Sequence, residues 1–146
     1  MFKRILVCTD GSEIAAHAAL VASDLAWKFG ADVTLLNVVN PAPLVAPYAM
    51  AVEAAPNTEE LIRIAEESQK TVLSNATAPF EREGVNVKVR AEMGQPVDCI
   101  VRVAEEEKSD LIVLASRGLG GFSRLMLGSV SDGVLHHAHC PVLIVR

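Results

Sequence analysis

Four stretches of the chain are solidly apolar rather than alternating: residues 5–8 (Ile-Leu-Val-Cys), 33–39 (interrupted only by Thr34 and Asn37), 111–114 and 142–145. Runs of this kind belong to strands covered on both faces, the usual condition of a parallel sheet. Residues 85–90, Val-Asn-Val-Lys-Val-Arg, do alternate, which predicts an edge strand with one face in water. Between these runs the apolar period changes to the helical one. Ile14, Ala18, Val21, Leu25 and Phe29 form one stripe that Gly30 stops, with Asp10 or Ser12 placed to cap the start. A second helix is predicted over 58 to about 83, carrying Leu61, Ile62, Ala65, Val72, Leu73, Ala76 and Phe80, with Pro79 kinking or ending its regular part. Gln95-Pro96 opens a third that buries Val97, Ile100, Val101 and Ala104. A fourth runs from about 129 to 139 and stops before Pro141.

Strand and helix thus alternate, and no strand pair is joined by a two-residue turn. This predicts a three-layer, doubly wound α/β domain around a five-stranded parallel sheet, occupying residues 1–146 as one unit. Residues 40–57 are rich in Ala and Pro and too long for an ordinary connection, so they read as a flap or lid beside the carboxyl edge of the sheet.

Composition narrows the functional classes. At 146 residues and 51% apolar, the chain supports one core. A net charge of -5 has the wrong sign for a general nucleic-acid or anionic-membrane surface. Mean hydropathy is +0.32, yet no window approaches the ~18 uncharged residues of a membrane span. Cys8, Cys99 and Cys140 are scattered and odd in number, which reads as buried thiols in a reducing cytoplasm. The amino-terminal residues lack the long apolar core and cleavage site of an export signal.

Ligands of doubly wound sheets bind beyond the carboxyl ends of the strands, where the winding reverses. Two strand ends carry suitable sequence. Thr9-Asp10-Gly11-Ser12-Glu13 follows the first strand; Asp10 can accept hydrogen bonds from sugar hydroxyls, or the segment can simply cap a helix. Residues 115–131 follow the fourth strand and are rich in glycine. The amides of Gly128, Ser129 and Val130 at a helix start make an anion seat, to which Ser129 and Ser131 add hydroxyls and Arg117 or Arg124 positive charge. The plainer alternative has Ser129 capping the helix, with Asp132 completing a capping box. A Walker-type phosphate loop is absent, and Gly118-Leu119-Gly120 lacks the third glycine of a dinucleotide fingerprint.

Residues 5–12, Gly94-Gln95-Pro96 with 110–113, the pair Gly128-Ser129 spaced nine residues beyond Gly118, and 140–145 together resemble the universal stress protein family over essentially the whole chain. The ATP-binding branch of that family carries Gly-x-x-Gly-x9-Gly-Ser/Thr. Here Gly118 is its second glycine and Gly128-Ser129 its close, while Ala115 stands where the first is expected. If that position requires a positive φ, alanine would shift the loop. The resemblance implies strand order 3-2-1-4-5, as in adenine nucleotide alpha hydrolase-like folds. It implies ATP with Mg2+ or Mn2+, Asp10 on the ribose, Cys8 and Thr9 beside the sugar, and Val38 meeting adenine through its backbone. Ala115, Arg117, Gly118, Gly128, Ser129, Val130 and Ser131 would surround the phosphates. It also implies a homodimer joined through residues 141–146.

No residue has a motif-based claim to position water for hydrolysis. The reading is therefore an ATP-binding stress-response or signalling module with at most slow turnover. Alternatives are a dimeric interaction module that binds no nucleotide, a metal protein using His136, His139 and Cys140, and a redox sensor at Cys8 or Cys99.

Overall fold

The computed structural model describes residues 1–48, 57–118 and 126–146. Its elements in chain order are β1 (Arg4–Cys8), α1 (Glu13–Phe29), β2 (Asp32–Val39), α2 (Ala42–Val45), a 3-10 turn (Ala46–Tyr48), α3 (Thr58–Ala76), α4 (Ala78–Arg82), β3 (Val87–Met93), α5 (Pro96–Glu106), β4 (Leu111–Ala115), α6 (Ser129–His137) and β5 (Val142–Val145). The five strands form one parallel sheet in the order β3-β2-β1-β4-β5. The alternating segment is indeed an edge strand, displaced two residues towards the carboxyl end from its expected start.

Strand side chains divide by parity between two cores. Ile5, Val7, Val33, Leu35 and Val113 face α1, α3 and α4, whereas Leu6, Leu36, Ile112 and Leu114 face α5 and α6. Helix α1 packs differently from its apolar stripe. Its buried residues are Ala15, Ala18, Ala19, Ala22, Ser23 and Ala26, while Ile14, Val21 and Leu25 are half-buried flanks. The small face brings the helix backbone close to the sheet, so the larger residues seal the sides of the contact. Ser12 caps α1 by accepting the Ala15 amide at 3.2 Å, and Gly30 closes it in the left-handed conformation (φ 61).

The predicted second helix is two. The chain breaks at Thr77, and Pro79 sits in the first turn of α4, where its missing N–H costs nothing. Phe80 of α4 is fully buried. Gln69 of α3 lies in the apolar stripe between Ala65 and Leu73 and is equally buried. Helix α6 ends at His137, two residues earlier than expected, because Ala138 turns extended (ψ 139) on the way to Pro141. Of residues 40–57, the lid expected from sequence, 42–48 are helical and Asn57 caps α3; residues 49–56 lie outside those described.

Candidate functional site

The ends of β1 and β4 meet at the switch point. Thr9 is bound to β2 through its amide, which donates to the Leu36 carbonyl at 2.9 Å. From there the chain turns sharply at Gly11 (φ 82) into α1. Asp10 stabilises this turn by accepting the Ser12 amide at 3.0 Å. Its other carboxylate oxygen lies so near Gly118 that a Cβ there would come within 2.6 Å of it. A side chain at 118 would therefore displace the Asp10 carboxylate from this position.

Ala115 ends β4 in ordinary strand pairing with Val145 and is not among the positive-φ residues. Alanine at the position of the first motif glycine is therefore unstrained. Gly128 is tightly placed for a different reason: its N–H donates to the Ser116 carbonyl at 2.7 Å, and a Cβ would lie 3.0 Å from the Arg117 Cα, so a side chain there would press on the neighbouring backbone. Two features of the anion seat change accordingly. The Gly128 amide is not available to a ligand, and Gly128, not Ser129, is the N-cap of α6, with no side-chain capping bond. The first intrahelical bond runs from the Asp132 amide to the Gly128 carbonyl, so helix geometry leaves the amides of Ser129, Val130 and Ser131 without intrahelical acceptors. The Ser131 hydroxyl is buried and donates to the Ala115 carbonyl at 2.9 Å. It ties α6 to the end of β4.

Between these loops opens a cleft of about 200 Å³ lined by Cys8, Thr9, Asp10, Ala15, Leu36, Val38, Pro96, Ile100, Leu114, Ala115, Arg117, Gly118, Val130 and Ser131. Gly128 and Ser129 are not part of this lining; they border it through Arg117 and Val130. Arg124 lies outside the described residues. Sequence reading missed Ala15, Leu36, Pro96, Ile100 and Leu114. Their signal was positional: Leu36 shares a sheet face with Val38, and Pro96 and Ile100 belong to the helix that follows the neighbouring strand. The wall is chemically divided. Leu36, Val38, Pro96, Ile100 and Leu114 make an apolar part, while Asp10, Arg117 and the start of α6 make a polar one. Burial pushes the Cys8 thiol up to about 12, which keeps it protonated at neutral pH and removes the thiolate that a redox sensor at Cys8 needs.

The histidine cluster disperses. His136 Nδ1 lies 2.8 Å from the Asp132 carbonyl oxygen, and His139 Nδ1 lies 3.8 Å from Glu105 Oε1, outside the helix. Among the described residues no group of three His, Cys, Asp or Glu side chains is placed to hold a metal ion. No described helix is long and apolar enough to cross a membrane.

A parallel sheet of this order, with a cleft at its switch point, defines a doubly wound α/β protein whose cleft lies where sheets of this kind bind ligands. Within that class, a profile described as the universal stress protein family matches residues 1–146, and the chain belongs to that family. It is 34% identical over 146 residues to the universal stress protein MJ0531 of Methanocaldococcus jannaschii, covering 100% of this chain and 83% of that one. Among solved structures, the protein MJ0577 superposes with a TM-score of 0.85 at 30% identity, covering 99% and 96% of the two chains. A universal stress protein solved in complex with cAMP gives 0.71 at 26% identity, covering 99% and 97%.

Proposed function

We propose that this chain is an ATP-binding module of stress response or signalling. The nucleotide lies at the carboxyl ends of β1 and β4, and hydrolysis is slow at most. The observation that carries the reading is the divided cleft. A nucleotide is itself divided into an apolar base, a hydroxylated sugar and an anionic tail, and the wall holds both apolar and polar surface to receive them, with Leu36 and Val38 on β2, residues 8–10 at the end of β1, and Arg117 and Gly118 after β4. Leu36, Val38, Pro96, Ile100 and Leu114 receive adenine, with Val38 also offering its backbone. Asp10 accepts from the ribose, flanked by Cys8 and Thr9. The phosphates extend past Ala115, Arg117, Gly118 and the Gly128-Ser129 turn onto the amides of Ser129, Val130 and Ser131, where the helix dipole favours negative charge. The relative solved with cAMP supports an adenine nucleotide here.

A divalent ion, Mg2+ or Mn2+, would be held mainly by the phosphates, since Asp10 is the one acidic residue among the described lining residues. The same scarcity supports slow turnover, because Asp10 is assigned to the sugar and no described histidine or glutamate lines the cleft to orient water. Three unpaired cysteines fit a reducing compartment, the cytoplasm. A homodimer through β5 is part of the proposal, on the ground that this apolar strand ends the sheet.

Thermal unfolding tests the reading. At ATP and magnesium near 100 times the dissociation constant, binding adds about 2.7 kcal/mol to the native state, which raises the melting temperature by roughly 5–10 °C for a chain of this size. Ser129→Asp is expected to remove the shift. A carboxylate at a helix start suits the helix dipole, so the fold is kept, but it repels a phosphate from the same amides. No shift in the unmodified chain, or an equal shift in the variant, overturns the proposal.

A further inference from the structure

We infer that Asn37 is a positioning residue for the nucleotide sugar, acting through Thr9 on Asp10; the inference rests on the nucleotide reading above. Asn37 projects from β2 on the face shared with Val33 and Leu35, opposite Leu36 and Val38 in the cleft. It is 4% exposed. Its side-chain amide donates to the Thr9 carbonyl at 2.7 Å, and the Thr9 amide donates to the neighbouring Leu36 carbonyl. Both backbone groups of Thr9 are thus fastened to β2, and the next residue is Asp10. Gln69 completes the support from α3: its amide nitrogen donates to the backbone carbonyls of Asn37 (3.2 Å) and Glu92 (2.9 Å), joining the ends of β2 and β3.

The second observation is the other half of the same side chain. Asn37 Oδ1 is buried without a hydrogen-bond partner among the described residues. Exchanging the two ends of the amide would set Oδ1 against the Thr9 carbonyl oxygen, so the orientation is fixed by that contact. A buried acceptor with no partner destabilises a fold, and an apolar residue of similar size would avoid the loss. What the amide contributes is an anchored Thr9 carbonyl. The carbonyl belongs to the peptide unit that sets the direction of Asp10, whose reach to a ribose depends on that direction.

The experiment compares the affinities of the full chain for ATP and for 2′,3′-dideoxy-ATP, with magnesium, by calorimetry. The expected result is that the unmodified chain favours ATP and that Asn37→Leu weakens ATP about tenfold, down to the affinity for the dideoxy analogue, which itself stays unchanged. Asp10→Ala gives the same levelling, and combining it with Asn37→Leu weakens ATP no further. Asn37→Ala, which adds no bulk, serves if leucine prevents folding. A residue that only supports the fold would weaken both nucleotides alike and leave their ratio intact, so an unchanged ratio in folded variants overturns the inference while the nucleotide reading stands. Equal binding of both nucleotides by the unmodified chain overturns the sugar assignment and this inference with it. No binding of either overturns the nucleotide reading as well.

Discussion

The Asp10 carboxylate lies against Gly118, where the loop after β1 meets the loop after β4. Gly118 needs no special φ, so alanine fits its backbone. Its Cβ, however, would lie 2.6 Å from the Asp10 carboxylate oxygen and displace it. Because a short side chain can rotate away, Gly118→Ala is expected to cost under about 1 kcal/mol of apo stability. The ATP-induced rise in melting temperature should nevertheless fall to half or less; a full rise in this variant would show that Asp10 is not held where the ligand needs it. The sequence marked both residues but not the reason joining them, since spacing along a chain carries no distances. Ala115 shows the same limit from the other side: its place in the motif suggested a backbone problem, and its strand conformation dissolves it. Ser131 was legible as a hydroxyl near phosphate, whereas its bond to the Ala115 carbonyl makes it a fastening for α6.

Helices and strands were legible wherever one apolar period ran unbroken, and least so where polar residues do structural work. Gln69 was invisible because it occupies a core position of α3, and its partners are carbonyls at strand ends, which no pattern encodes. The break between α3 and α4 at Thr77 preserves the stripe on both sides, so periodicity alone joined them. On β3 the alternation was legible, but the role of its polar face was not. Arg90 bonds Glu92, Glu106 and Glu107, and Arg102 bonds Glu92 and Glu106, clasping the edge strand to α5. The bond from Arg102, then that from Arg90, holds the Glu92 carboxyl below the usual glutamate range. A carboxyl depressed in the folded state stabilises it above the unfolded value, about 4.3, and that contribution is lost as the pH falls through the folded value. Solvent screening keeps ion pairs of this kind to at most about 1 kcal/mol. Glu92→Gln should therefore melt below the unmodified chain at pH 7, with the gap closing as acid is added below about pH 4.3. A gap independent of pH would assign the loss to packing instead of charge.

For the molecule as a whole, apolar runs and alternating elements were enough for a parallel, two-sided sheet; the strand order came from family resemblance, because the direction of each crossover leaves no trace in periodicity. One run conflicts with its place. The stretch 142–145 has the composition of a strand covered on both faces, yet β5 ends the sheet and keeps Val142, Leu143 and Ile144 only half-buried. An apolar edge of this kind invites a second chain. The hydrogen bonds say which groups are available. The Ile112 amide donates to the Pro141 carbonyl and the Ser116 amide to the Val145 carbonyl, so odd-numbered residues of β5 bond inward to β4. In a parallel ladder the backbone groups of Val142 and Ile144 then point away from the sheet. Ile144→Pro removes an outward N–H and leaves the β4–β5 bonds intact, as proline is tolerated on an edge strand. If two copies join along this edge, sedimentation will give a dimer for the unmodified chain and a monomer for Ile144→Pro, with the parallel sheet retained in both. A dimer that survives the proline places the interface elsewhere, and a monomer in both leaves the apolar edge of β5 without a second copy to cover it.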